Sequence, residues 1–143
     1  MSAPSPAIDA AGRAVLAGLA DVLIPAGPGF PSASEAGVAG DGLDRVLAAR
    51  PDLAEGLAGV VRRAKGKEPR AAVAELQAGD PDGFGILAEV VPGAYFMDPR
   101  VREAIGYHGQ GPRPIVPAES DIAGALLQSV IDRGPIFRPT PKR

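Results

Sequence analysis

Apolar residues recur along this chain at intervals of three and four, the spacing of one helix face, and no stretch keeps the period of two that a strand requires. Ile8, Ala11, Val15, Leu19, Val22 and Leu23 follow Ser5-Pro6, an N-cap and first-turn proline pair, so the pattern predicts a first helix ending at Pro25. The run Pro25-Ala-Gly-Pro-Gly-Phe-Pro31 cannot continue it and turns sharply near Phe30. Ser32 and Glu35 have the spacing of a capping box, which opens a second helix over 33–49 with Ala36, Ala39, Leu43, Val46 and Leu47 on one face. Gly37, Gly40 and Gly42 each weaken that helix by up to ~1 kcal/mol relative to alanine, which predicts a break near Gly40.

Prolines mark most of the later helix starts. Pro51 opens a third helix whose Leu53, Leu57, Val60 and Val61 face inward until Gly66 stops it. A fourth covers 68–77 through Val73 and Leu76, with Gly79 closing it. Asp80-Pro81 opens a fifth, where Phe84, Leu87, Val90 and Val91 form a stripe leading to Tyr95 and Pro92 should kink or disturb the axis. Asp98-Pro99 opens a short helix that Gly106 ends, 109–117 is too rich in Gly and Pro for regular structure, and Ile122, Leu126, Leu127 and Val130 mark a last helix over 118–133. The expected fold is all-α: one irregular domain over 1–143 with five to seven helices, long Pro/Gly-rich connections and an extended tail over 134–143.

Composition sharpens this picture in three ways. With 4% aromatic residues in a chain that is 45% hydrophobic, Ala, Val, Leu and Ile must fill the core. A net charge of −2 with no dense basic face argues against nucleic acid as a partner. The absence of cysteine removes disulfides, thiolate zinc sites, iron–sulfur ligation and a Cys nucleophile together. The apolar run after Met1 is interrupted by Arg13 and Asp21 and lacks a basic leader, so neither a signal peptide nor a membrane span is expected. The expected location is the cytoplasm, or the periplasm through co-export with a partner.

Candidate chemistry is sparse. His108 is the only histidine and sits in a Gly-flanked turn with no nucleophile elbow near any serine, so a structural or interface role outweighs a triad. Glu103 and His108 lack helical ligand spacing, and no metal site is expected. Asp80-Pro-Asp82-Gly-Phe84-Gly85 starts like a calcium loop, but Val91 stands where the bidentate glutamate belongs, which favours helix capping. The Gly-x-Gly pairs at Gly27, Gly40 and Gly83 follow no predicted strand, so the chain is not expected to hold a nucleotide or flavin of its own. Asp41 with Asp44, and Asp52 with Glu55, fit exposed faces and first helical turns.

The residues 95–109 stand apart, holding three of the six aromatic rings and the only histidine. Tyr95, Phe96, Asp98, Pro99, Arg100, Arg102, Tyr107 and His108 are the candidates here for a partner interface, since Tyr and Arg are enriched at binding hot spots. Core packing claims some of these rings, and the expectation is Phe96 inward and Tyr107 outward. Phe137 and Arg138 join the list from the tail, which is proline-stiffened and carries no acidic residue. A pocket lined by Tyr95, Arg100, Tyr107 and His108 in a freestanding enzyme or small-molecule-binding protein is the alternative reading, and a chaperone-like adaptor a further one.

The order Tyr95, Asp98, Pro99, Val101, Gly106, Tyr107, Gly109 resembles the signature near the end of the gluconate 2-dehydrogenase subunit 3 family. Leu19-Ala-Asp-Val-Leu-Ile-Pro25, Pro31-Ser-Ala-Ser-Glu-Ala-Gly-Val38 and Arg133-Gly-Pro-Ile-Phe137 follow the same family order, so the resemblance spans most of the chain. It implies a small helical subunit that binds and stabilises, or helps export, a large flavoprotein of the glucose-methanol-choline type oxidising sugars, sugar acids or polyols. It also implies that FAD and the catalytic groups belong to that large subunit and that this chain is not catalytic alone. Many family members carry a twin-arginine leader, which this sequence lacks.

Overall fold

The computed structural model describes residues 8–111 and 125–136. Regular structure within them is helical: α1 Ala10–Leu23, α2 Leu43–Ala49, α3 Ala54–Ala64, α4 Pro69–Gly79, α5 Pro81–Tyr95, α6 Pro99–Ala104 and α7 Ala125–Arg133. The protein is all-α, and among the described residues no strand occurs beyond an isolated bridge between Gly27 and Phe30. Two units are distinct, Met1–Gly109 and Gln110–Arg143.

Three helices of the first unit start by one device, an acidic residue followed by proline. Glu68 accepts from the N–H groups of Arg70 and Ala71 (3.1 and 2.9 Å), Asp80 from Gly83 (3.0 Å), and Asp98 from Arg100 and Val101 (2.8 and 3.2 Å). In each the proline occupies the first helical position, where no N–H is missed. Asp80 therefore caps α5, as the calcium-loop comparison favours. Gly66 and Gly106, at φ +78° and +68°, turn the chain after α3 and α6 through the left-handed region that favours glycine.

Elsewhere the structure departs from the sequence pattern. Asp9 caps α1 through the Gly12 N–H (2.7 Å), so the helix starts at Ala10; the expected Ser5-Pro6 start lies outside the described residues. Its buried face is Gly12, Leu16, Leu19 and Ala20, whereas Ala11 is exposed and Val15 half-buried. The helix expected over 33–49 is a turn, one wide helical turn at Val38–Gly42 and then α2, because Gly40 leaves helical geometry (φ −104°, ψ −124°). The capping box does form: the Ser32 N–H donates to Glu35 Oε2 (2.7 Å) and the Glu35 N–H to Ser32 Oγ (3.3 Å). Pro92 does not end α5, which continues to Tyr95.

The break at Gly40 strands backbone carbonyls, and Arg13 of α1 collects them. Its Nη1 donates to the carbonyls of Ala39 (3.0 Å) and Gly40 (3.2 Å), its Nε to that of Ile8 (3.2 Å), and its Nη2 pairs with Asp44 (2.5 Å). A residue that reads as an interruption of an apolar stretch thus joins α1, the break and α2. Asp21 does similar work, accepting from the Ser34 N–H (2.8 Å) and hydroxyl (2.7 Å).

α5 packs against α1, α2, α3 and α4, and α1 also packs on α3 and α4. Leu16, Leu19, Leu43, Leu57, Leu87, Val38, Val60, Val90, Val91 and Val101 are fully buried, so aliphatic side chains build this core as the composition requires. Helices approach closely where glycine allows: a Cβ on Gly42 would lie 3.1 Å from Ala94 Cβ, where α2 meets α5. In the second unit α7 is the described helix, closed by Gly134 at φ +65°. The expected helix start before Ala125, and the tail beyond Ile136, lie outside the described residues.

Candidate functional site

The last turn of α5, α6 and the turn after it carry the residues that the sequence singles out, and two long-range hydrogen bonds anchor this stretch to the Pro31–Glu35 segment. Tyr95 is buried and its hydroxyl donates to the Pro31 carbonyl (2.8 Å). Arg100 Nη2 donates to the Glu35 carbonyl (2.6 Å) while Nε and a second contact of Nη2 reach the Asp98 carboxylate (3.2 and 3.0 Å). Asp98 thus caps α6 and holds the arginine that ties α6 to the capping box.

Asp98 and Arg100 are both shifted by this contact, the Arg100 guanidinium upward through its hydrogen bond to Asp98. The Arg100 guanidinium, then the Val101 and Arg100 N–H groups, hold the Asp98 carboxyl below the usual carboxylate range against an opposing desolvation. Burial, with Asp98 and Glu35 nearby, raises the Tyr95 phenol, which therefore stays a neutral hydrogen-bond donor. Asp98→Ala should cost about 1 kcal/mol at neutral pH, the usual worth of an N-cap. Because the folded-state pKa is depressed, the carboxylate's contribution is full above the unfolded value of about 3.9 and is lost as pH falls through the folded value. Urea denaturation of both proteins between neutral pH and acid should show the gap closing only on the acid side; a gap that widens as pH falls refutes the cap assignment.

The rings divide differently from expectation. Phe96, the C-cap of α5, is 52% exposed, and Tyr95 takes the inward position, where its hydroxyl reaches the Pro31 carbonyl. Phe96 stands edge-on to Tyr95, with ring centroids 5.6 Å apart. Tyr107 is exposed as expected, and Arg102 lies over its ring at 5.4 Å from the centroid, a cation–π contact.

Neither Phe30 nor Ile105 is singled out by the sequence, yet both are exposed, at 40% and 48%. Phe30 sits where Gly27 and Phe30 exchange two backbone hydrogen bonds (3.1 and 3.0 Å), next to the Pro31 carbonyl that Tyr95 holds. The signal that could have found it is the aromatic inside a Pro/Gly turn, where a ring has little core to enter. No protein-family model, curated protein or solved structure matches this chain.

Among the described residues Tyr95, Arg100, Tyr107 and His108 are not brought to one pocket. Arg100 lines a cleft of about 270 Å³ with Glu35, Asp41, Arg45, Met97 and Asp98. Tyr107 and His108 instead border a separate, open hollow of about 320 Å³ with Pro99, Arg102 and Glu103. Tyr95 faces the core, its hydroxyl already engaged. Among the described residues no group of three His, Asp or Glu side chains is placed to hold a metal ion. The candidates Phe137 and Arg138 lie outside the described residues.

Phe96, Ile105 and Tyr107 project from short, capped, hydrogen-bonded elements, so their backbone is already ordered and would lose little entropy on contact with a partner. Arg102, Glu103 and His108 supply polar groups around Tyr107.

Proposed function

We propose that this chain is the noncatalytic small subunit of an FAD-dependent sugar or alcohol dehydrogenase of the glucose-methanol-choline type, as its resemblance to gluconate 2-dehydrogenase subunit 3 implies. Its function is association: it binds the large flavoprotein and stabilises the folded heteromer, while FAD and the oxidation chemistry reside on the partner. The observation that carries the reading is the set of exposed Phe96, Ile105 and Tyr107 on the anchored α5–α6 stretch, together with Phe30 on the adjoining turn. Large apolar side chains held outward by a rigid scaffold favour burial against another protein. An obligate interface of this kind buries roughly 2,000 Å² or more, so these residues form one part of it. No described helix is long and apolar enough to cross a membrane. As its location we propose the cytoplasm, or the periplasm by co-export with the flavoprotein.

His108→Ala tests the division of labour. With the flavoprotein co-expressed, turnover of the sugar substrate should stay within about twofold of the unsubstituted complex, because the base for hydride transfer belongs to the large subunit. A collapse of turnover with the complex still assembled would instead make this chain catalytic and overturn the proposal.

A further inference from the structure

We propose that the turn joining α3 to α4, with the cleft beside it, is a binding site for an acidic peptide segment that carries one apolar side chain. The inference is independent of the small-subunit reading, since it uses neither the α5–α6 stretch nor the flavoprotein.

Residues 62–70 hold Arg62, Arg63, Lys65, Lys67 and Arg70, five of the chain's 15 Lys and Arg, against one acid, Glu68. All five are exposed. The negative end of α3 accounts for Arg62 and Arg63, which stand in its last turn. It does not account for Arg70, which stands in the first turn of α4, where the helix dipole disfavours a cation. Arg63 pairs with Asp80 and Lys67 with Glu75, while Glu68 spends its carboxylate on the Arg70 and Ala71 N–H groups. Arg62, Lys65 and Arg70 have no ion pair among the described residues, so three cations are left for an anion from outside.

Arg63 and Lys67 also border a cleft of about 250 Å³, whose apolar lining is Ala64 of α3 with Ala72 and Leu76 of α4, all three buried. Its volume lies below the ~300–1,000 Å³ of a small-molecule pocket and suits a single aliphatic side chain. The two ion pairs at its rim, Arg63 with Asp80 and Lys67 with Glu75, are solvent-exposed and therefore weak, so an incoming carboxylate can take the place of either acid at little cost.

The surroundings choose among anionic partners. A nucleic acid would meet Glu68, Glu75 and Asp80 interleaved with the cations, and neither α3 nor α4 carries an aromatic ring on which bases could stack. An anionic membrane would find no large apolar side chain exposed on α3 or α4 to insert. A peptide answers each feature: its apolar residue fills the cleft, and its flanking carboxylates complement Arg62, Lys65 and Arg70.

The test is a nuclear magnetic resonance titration of the full, isotope-labelled chain with a synthetic peptide, Asp-Glu-Asp-Leu-Asp-Glu-Asp, acetylated and amidated at its ends. The amide signals of Ala64, Lys65, Ala72 and Leu76 should shift together and saturate, and added salt should weaken binding. Arg62→Gln, Lys65→Gln and Arg70→Gln together should raise the Kd about tenfold, with the melting temperature moving by no more than a few degrees because all three are exposed. Replacing the peptide's leucine by serine should also raise the Kd about tenfold, because the cleft then stays unfilled. Shifts absent from Ala72 and Leu76, an affinity that the triple variant leaves unchanged, or a serine peptide that binds as tightly as the leucine one overturns the site. So does tighter binding of oligouridylate or of phosphatidylserine vesicles than of the leucine peptide, if the triple variant abolishes it, since the turn then reads phosphate. A wild-type dimer that the triple variant makes monomeric overturns it as well, since a second copy then fills the cleft.

Discussion

Leu57→Ala is expected to lower the unfolding free energy of the Met1–Gly109 unit by about 3 kcal/mol, with an unchanged denaturant slope. Leu57 is fully buried on α3, the helix that packs against both α1 and α5. Truncation removes apolar contact and leaves a cavity that aliphatic neighbours in a close-packed core cannot refill. Domains of this size have roughly 5–15 kcal/mol of stability in total, so this one side chain commands a large share. Leu57→Met keeps the volume and should cost under about 1.5 kcal/mol. Ile105→Ala, on the exposed end of α6, should stay within about 0.5 kcal/mol of wild type. Equal losses for Leu57→Ala and Ile105→Ala would contradict the burial on which the fold description stands.

Phe96→Asp combined with Tyr107→Asp should weaken flavoprotein binding about a hundredfold or more. A central aromatic at an interface is commonly worth about 2 kcal/mol or more on truncation, and two of them at that level exceed a hundredfold in Kd. A carboxylate adds a desolvation cost where a ring had packed. The chain's own stability should change little, because both rings are already about half in water; Tyr107 gives up only its contact with Arg102. Calorimetric titration of the flavoprotein, beside denaturation of the isolated chain, separates the two effects. Lost binding accompanied by an unfolded chain would show these rings to be structural.

The helix starts were the most legible part of the fold because their causes are local. Asp80-Pro81 and Asp98-Pro99 satisfy backbone N–H groups within three residues and do so in the structure, and the Ser32–Glu35 box forms although it opens a turn rather than a helix; the Glu68 cap of α4 has the same local cause but was not read. The glycine break near Gly40 was readable for the same reason. What could not be read was anything decided across the sequence. Arg13 meets the Ala39 and Gly40 carbonyls, Tyr95 the Pro31 carbonyl and Arg100 the Glu35 carbonyl over separations of 26 to 65 residues, and backbone acceptors leave no mark in composition.

The candidate site shows the same limit. The segment was visible as a concentration of rings, arginines and the histidine, but the partition of Tyr95 and Phe96 was not. Phenylalanine is the more apolar ring, so hydropathy alone favours Phe96 for the core; the Pro31 carbonyl, far away in sequence, reverses that choice by accepting the Tyr95 hydroxyl. Arg102 lies over Tyr107 because the chain reverses at Gly106, where the Tyr107 N–H returns to the Arg102 carbonyl (2.8 Å). The residues of the alternative pocket lie apart for a related reason: close in sequence, they separate onto a core face, a cleft and an open hollow.

Sedimentation velocity of the two co-expressed and purified proteins tests most directly the proposal that this chain clasps a larger flavoprotein. Recorded at both the peptide absorption and the visible absorption of oxidised flavin, a single boundary heavier than the flavoprotein alone and containing both chains is the expected result. A flavin boundary that sediments as the flavoprotein alone, with this chain left in a separate colourless one, would contradict the account.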